Sequence, residues 1–311
     1  MLEIEAVDYH TGGEPFRIVT GHELRGRTIL EKRRDACERL DHLRRLLVNE
    51  PRGHADMYGC FVTEPEDAGA DLGVVFFHNA GYSTACGHGT IALVTWALDL
   101  GLVAGPRVVV DVPSGRLETE ARVQDGRVRS VRFRNVPSFV LRRDALPGID
   151  IAFGGAFYGS VEDRVAPAEL PRLIERGREL KHELEASNDV VHPLEPELSD
   201  VYGVIFWQRE GDNVQRNVTV FADGEVDRSP CGSGTSARLA LLDASGELPR
   251  GEELRHLSIV GTEFRGRVVG DTEVAGLPAV ITEVEGSAHR TGEHRFVLED
   301  SDELGTGFLL R

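Results

Sequence analysis

Cys86 and Cys231 head two nearly identical turns, Ala85-Cys86-Gly87-His88-Gly89-Thr90 and Pro230-Cys231-Gly232-Ser233-Gly234-Thr235. Each turn runs into an apolar stretch that reads as a helix. Each stretch ends at a glycine fifteen positions past its cysteine, Gly101 and Gly246. A helix N-terminus offers unpaired backbone N–H groups and a partial positive charge. Glycines let a ligand approach that backbone, and a thiol placed there shifts toward thiolate. One such turn supplies an activated sulfur beside an anion cradle. Two supply two sulfurs and a cradle that holds a carboxylate from both sides. That suits inversion of a carbon carrying both an amine and a carboxylate. One sulfur removes a proton from one face, the other delivers a proton to the opposite face, and the donors stabilise the charge developing on the carboxylate. Asp227, four residues before Cys231, is placed to bind the substrate ammonium.

This chemistry requires no metal and no organic cofactor. A pyridoxal enzyme needs a positioned lysine, and the two lysines, Lys32 and Lys181, fall on helices expected to be exposed. A single cysteine before a glycine turn is more often a packing residue than a catalyst. Repetition of the whole set at equal spacing is what favours a paired site.

The elements around the two turns repeat as well. Residues 2–8 alternate apolar and polar as a half-buried strand does, and His10-Thr11-Gly12-Gly13-Glu14-Pro15 turns the chain into a second strand at 16–19. Thr28 and Glu31 have capping-box spacing and open a helix to about Val48 through Ile29, Ala36, Leu40, Leu43, Leu46 and Leu47. Cys37 on that helix and Cys60 in a strand over 58–63 are expected to be packing residues. Residues 72–78 read as a buried strand. The helix from about residue 88 to 100 is apolar nearly all round, which predicts burial in the middle of its domain. Strands follow at 108–112, 117–121 and 128–133. Phe153-Gly154-Gly155-Ala156-Phe157-Tyr158 then takes the place of the first glycine turn, and 167–187 that of the amphipathic helix. Strands at 201–207 and 216–221, the second cysteine turn and helix, and strands at 257–260, 264–269 and 279–284 complete the second copy. The period of about 145 residues is far too long for a solenoid and predicts two similar α/β domains. The expected boundaries are 1–120 and 121–290, with the last residues, from about 291 to 311, completing the first domain.

The 311 residues suffice for two domains with a large core, and a hydrophobic fraction of 41% is ordinary for a globular chain. A formal net charge of −17 argues against nucleic acid as a partner, because phosphate binding needs clustered Lys and Arg. The start, Met1-Leu2-Glu3-Ile4-Glu5, has no basic and apolar leader, and no apolar run is long enough to span a membrane. Four cysteines without a Cys-x-x-Cys are not a disulfide framework. The expectation is a cytoplasmic enzyme with a small-molecule substrate, acting as a monomer or a homodimer.

The chain resembles the proline racemase family at His10-Thr11-Gly12-Gly13-Glu14-Pro15, at Glu50-Pro51-Arg52-Gly53-His54 with Asp56-Met57, at Gly81-Tyr82 leading to the first cysteine turn, and at Asp227-Arg228-Ser229-Pro230 leading to the second. The resemblance implies a diaminopimelate-epimerase-like fold. In that fold two pseudo-symmetric α/β (α+β) domains each wrap a curved, mostly antiparallel sheet around a central helix, with the active site between them. It implies that Cys86 and Cys231 are the acid/base pair. Gly87, His88, Gly232 and Ser233 would bind the substrate carboxylate through N–H groups, and Asp227, with His88 beside it, the ring nitrogen. Tyr58 and Phe221 fall where the family places side chains that contact the ring. The implied activity is cofactor-independent racemisation or epimerisation of proline or hydroxyproline. The alternative is dehydration of trans-3-hydroxy-L-proline, whose enzymes usually replace one cysteine with Thr or Ser. Retention of both cysteines favours stereoinversion.

Overall fold

The computed structural model describes residues 1–310 and resolves into two compact units. The first comprises Met1–Thr84, Gly89–Val131 and the chain from Ser287 on; the second comprises Ala85–His88 and Arg132–Gly286.

The first unit begins with β1 (Leu2–Thr11) and β2 (Glu14–Val19), a hairpin turned by Gly12 and Gly13 at positive φ. Thr28 caps α1 (Ile29–Asp35) in a complete capping box with Glu31. A π-helical turn over Ala36–Leu40 joins it to α2 (Asp41–Val48), where a single regular helix is expected from sequence. The expected apolar set from Ile29 to Val48 is buried. Cys37 is not part of it: one position past the buried Ala36, it lies roughly 100° around the helix and is exposed, so its expected packing role fails. Cys60 is fully buried, as a packing residue should be. Lys32 corrects another expectation. It is buried rather than exposed, with Nζ donating to the Glu64 carbonyl.

The crossover through α1 and α2 brings β3 (Tyr58–Thr63) parallel to β2, and β4 (Leu72–His78) returns antiparallel to β3. A short β5 (Gly81–Tyr82) folds back on β4. Then α3 (Gly87–Asp99) leads to β6 (Arg107–Val112), parallel to β4, and β7 (Gly115–Gln124) is antiparallel to β6. The α3 residues from Ile91 to Ala97 are buried, as its all-round apolar sequence requires. The chain enters the second unit within β8 (Arg127–Arg134).

The second unit repeats this order. β9 (Ser138–Leu146), β10 (Ile149–Phe153) and β11 (Phe157–Glu162) form successive antiparallel pairs, the last turned over Gly154 and Gly155. Sequence periodicity does not separate these three, because Pro147-Gly148 and the glycine pair break them into short runs. The crossover α4 (Leu170–Ser187) makes β12 (Val201–Gly211) parallel to β11, and β13 (Val214–Phe221) is antiparallel to β12. The short β14 (Glu225–Asp227) folds back on β13. Then α5 (Gly232–Ser245) leads to β15 (Leu254–Ser258), parallel to β13. β16 (Glu263–Val274) and β17 (Leu277–Gly286) follow, and β17 pairs with β9. The ring of strands is thereby closed, and α5 packs on β9, β10, β11, β16 and β17. Gly232 to Leu242 are buried on every side. The last strand, β18 (Ala288–Leu298), lies antiparallel along all of β1.

The two cysteine helices also end alike. Gly101 and Gly246 are both left-handed, with φ of 64° and 70°. In each case the glycine N–H and the next one donate back to the last turn, Gly101 to Leu98 and Leu102 to Ala97, then Gly246 to Asp243 and Glu247 to Leu242. This paired bond is the glycine stop that both sequences announced.

Inside the second unit, α5 tolerates little extra volume. A β-carbon on Gly154 would meet the Ser233 carbonyl oxygen at 2.3 Å and the Ala237 nitrogen at 2.7 Å, both backbone atoms. His256, fully buried on β15, anchors the same helix. The single hydroxyl hydrogen of Thr235 is directed at the Cys231 and Pro230 carbonyls (2.8 and 3.2 Å). Thr235 Oγ1 therefore accepts from His256 Nδ1 at 2.8 Å, which fixes the tautomer. Burial, assisted by the Arg238 charge, lowers the His256 pKa from 6.5 to about 3. The unfolded chain thus binds a proton that the folded chain refuses between those values, and stability falls as pH drops below about 6.5.

Two outcomes are expected. Gly154→Ala should lose about 1–3 kcal/mol of stability, read as a lower denaturant midpoint. Denaturation at pH 6.5 and pH 5 should show wild-type stability falling on acidification, and a His256→Gln protein should lose less over that interval.

Candidate active site

Eight of the nine residues singled out in the sequence lie in the second unit, seven of them at or beside the cysteine turns: Cys86, Gly87, His88, Asp227, Cys231, Gly232 and Ser233. Their meeting point is glycine on glycine. A β-carbon built on Gly87 would lie 2.5 Å from Gly232 Cα, and one built on Gly232 would lie 2.7 Å from Gly87 Cα. Phe133 closes the same spot, with its ring tip 3.0 and 3.1 Å from those two positions. The first residues of α3 and α5 thus touch through their backbones, and no side chain fits at either position. First-turn N–H groups of a helix have no intrahelical acceptor, so both helix starts direct donors into this region.

Each cysteine sits just before its helix. Cys86 Sγ is 3.5 Å from both ring nitrogens of His88. His88 Nδ1 is in turn 3.8 Å from Asp227 Oδ2. Burial lowers the His88 pKa to about 4, outweighing the opposing pull of Asp227, so the imidazole is neutral at pH 7. Asp227 is fixed by the Ser229 N–H donating to Oδ1 at 2.8 Å, and the Cys231 N–H donates to Ser229 Oγ at 3.1 Å. These two bonds wind the chain into the turn that holds Cys231 at φ 60°, a conformation a non-glycine residue adopts only when its surroundings impose it.

The electrostatics of Cys231 run against the sequence reading. A thiol at a helix N-terminus is expected to shift toward thiolate, yet the Cys231 pKa is pushed up to about 12. Burial is the main cause and the Asp227 charge adds to it. The Gly234 N–H and the hydroxyls of Thr219 and Tyr158, which would stabilise a thiolate, only partly offset them. The helix supplies a few partial charges, whereas enclosure removes the solvation of a whole anion.

The remaining two residues are placed differently. Phe221, at the end of β13, stacks on Tyr202 (5.3 Å between ring centres, 12° between planes), and Tyr202 meets Tyr158 edge to face at 5.7 Å. Tyr58 belongs to the first unit, on β3. It stacks on Phe16 and bonds through its hydroxyl to Ser83 Oγ.

Tyr158 escaped the sequence reading. Its hydroxyl is 2.7 Å from Ser233 Oγ and 3.8 Å from Cys231 Sγ, the thiol being the donor in the second contact. The only signal was its position at the end of the second glycine turn, which says nothing about which face of β11 it occupies. Thr219 was missed too. It lies opposite Asp227 in the β13–β14 register, and among the described residues its buried hydroxyl has no hydrogen-bond partner. Among the described residues, no group of three or more His, Cys, Asp or Glu is arranged to hold a metal ion, and no helix is long and apolar enough to cross a membrane.

Known proteins match this chain over nearly its whole length. The proline racemase family model matches residues 6–309. A trans-3-hydroxy-L-proline dehydratase of Bacillus cereus is 45% identical, over 98% of this chain and 97% of its own length. A 3-hydroxyproline 2-epimerase of Burkholderia multivorans is 47% identical, over 99% of this chain and 98% of its own. Among solved structures, a hydroxyproline epimerase from Agrobacterium vitis with bound trans-4-hydroxy-L-proline superposes with a TM-score of 0.92 at 32% identity, covering 99% of this chain and 95% of that one. A PhzF-family phenazine biosynthesis protein from Bacillus anthracis, 14% identical with a TM-score of 0.60, shares the fold alone. The α/β architecture of two similarly ordered units, the paired cysteine turns and these matches agree: the chain is an enzyme of the proline racemase family.

Proposed function

We propose that this enzyme inverts Cα of a proline-type imino acid by a two-base mechanism in which Cys86 and Cys231 exchange the roles of base and acid. The observation that carries the reading is the pair of thiols, each preceding a helix start, whose following glycines lie backbone to backbone. A carboxylate at that junction would accept from the first N–H groups of both helices, including those of Gly87, His88, Gly232 and Ser233. Charge moves onto it as the Cα proton leaves, so these donors act most strongly in the transition state. Asp227 would hold the ring ammonium, with neutral His88 beside it. No metal or organic cofactor enters this scheme.

Cys231 rests as a thiol because burial and Asp227 hold its proton. In the direction of inversion that starts from this form Cys231 is the acid and Cys86, with the His88 nitrogens at 3.5 Å, is the base; in the reverse direction the roles exchange. The names of the Bacillus and Burkholderia relatives support 3-hydroxyproline as the ring, ahead of proline and 4-hydroxyproline.

A second reading rests on the dehydratase names among those relatives. Once the Cα proton of trans-3-hydroxy-L-proline has left, the C3 hydroxyl can depart as water and leave a pyrroline. That path needs no proton returned to the opposite face, so it does not call for a second cysteine. Retention of both thiols supports inversion.

Incubation in D2O with proline, both 4-hydroxyprolines and trans-3-hydroxy-L-proline separates the readings. The expected result is deuterium at Cα of the inverted 3-hydroxyproline with no pyrroline. A pyrroline product without the epimer would replace inversion by dehydration. Cys86→Ser and Cys231→Ser should each lower the inversion rate by at least about 10²-fold. A Cys86→Ser protein that inverts at the wild-type rate would refute the two-base scheme.

A further inference from the structure

Tyr158 lies against one thiol of the pair in a way that the two-cysteine scheme leaves unused. Its hydroxyl is buried, 2.7 Å from Ser233 Oγ and 3.8 Å from Cys231 Sγ. The ring is held from behind. β11 pairs with β10 and β12, and Tyr202, itself stacked on Phe221, meets Tyr158 edge to face. The Cys231 sulfur, the Tyr158 oxygen and the Ser233 oxygen thus form a short line of hydrogen-bonding atoms, and both hydroxyl hydrogens can point either way along it.

A hydroxyl donates once and can accept twice. When Cys231 is a thiol, its S–H donates to Tyr158 Oη and the tyrosine hydrogen goes to Ser233 Oγ. When Cys231 is a thiolate it has nothing to donate and needs donors. The tyrosine hydrogen then turns to Sγ, and the Ser233 hydrogen turns to Tyr158 Oη. Both arrangements use the same three heavy atoms at the same positions, and both leave the tyrosine oxygen with one donor and one acceptor. No proton leaves the line. The proton that Cys231 gains or loses is the one it exchanges with the substrate carbon, and the two hydroxyl hydrogens only reorient.

We propose that Tyr158 is the positioning residue that makes Cys231 reversible, its hydroxyl reversing direction with Ser233 to support the thiol and the thiolate in turn. This rests on the two-base reading and deepens it. A thiol that sits on one side of a reversible inversion must serve as acid in one direction and base in the other. The charged and backbone groups that face Cys231 do not offer both forms a partner. Asp227 on β14 opposes the thiolate by charge, and the Gly234 N–H of α5 can only donate. His88 at the start of α3 lies against Asp227, whereas His256 on β15 reaches the turn only through Thr235. Thr219 on β13 also faces the sulfur, but among the described residues its hydroxyl has no hydrogen-bond partner to reverse with it. Tyr158 alone is coupled to a second hydroxyl that can reverse with it.

The test is alkylation by iodoacetamide across pH, followed peptide by peptide so that Cys231 and Cys86 are read separately in the full-length protein. It needs no turnover, so it stands apart from the fate of the two-base reading, which the D2O experiment decides. In Tyr158→Phe the Cys231 profile should move up by about one pH unit, the size expected for loss of one hydrogen bond to a charged group. The Cys86 profile should stay in place. A protein carrying 3-fluorotyrosine at position 158, a stronger donor of nearly the same size, should move the Cys231 profile down instead. It also guards against a phenylalanine variant that fails to fold. Opposite shifts confined to Cys231 support the role. An unmoved Cys231 profile in the fluorinated protein, or equal movement of both cysteines, would overturn it and leave Tyr158 as packing.

Discussion

The close approach of Gly87 and Gly232 governs the rest of this structure. Two backbones can lie that near only if neither carries a side chain, since a β-carbon on either would fall well inside van der Waals contact distance of the other. Each glycine opens a helix, so the contact also fixes where two sets of helix-start N–H groups converge and where the cysteine just before each helix must stand. The neighbouring constraints follow from it. Phe133 seals the contact, Gly154 lets the β10–β11 turn lie against the Ser233 carbonyl, and Gly234 leaves room for the Cys231 sulfur, 2.9 Å from where its β-carbon would be.

Enclosure at this junction sets the electrostatics. Both His88 and Cys231 are driven to their neutral forms, the first to a pKa of about 4 and the second to about 12, with burial the largest cause in each case. Helix-start donors and a nearby carboxylate act as corrections to that desolvation. Such a site favours the neutral form of each group, holding the proton on the thiol and refusing one to the imidazole. Of the groups that favour a Cys231 thiolate, the Gly234 N–H comes from the helix start, and the hydroxyls of Thr219 and Tyr158 come from strands.

The duplication is carried by topology as well as by motif. In each unit a glycine-turned hairpin is followed by a helical crossover to a parallel strand, an antiparallel return, a two- or three-residue strand, the cysteine helix and a further parallel strand. The copies differ in detail. The first crossover contains a π-helical turn and the second does not, and Ser233 stands where the first copy has His88. His88 faces Cys86 through ring nitrogens, whereas Ser233 faces Tyr158 through a hydroxyl, so the two thiols sit in chemically different surroundings.

The sequence by itself determined the repeated order of elements, the helix stops at Gly101 and Gly246, the capping box at Thr28 and the burial of the α3 helix. Each of these depends on residues close together in the chain, through turn chemistry, capping or periodicity. It also singled out eight residues that the fold gathers into one unit, because two copies of one motif carry most of them. Only the tertiary structure decided the rest. It turned Cys37 outward and buried Lys32, since a helix face is chosen by what packs on it. It raised the Cys231 pKa, since desolvation is a property of enclosure and not of a neighbouring glycine. It brought Tyr158 to Cys231 across 73 positions of chain, a contact set by strand register and the closing of a ring of strands, which no local pattern records.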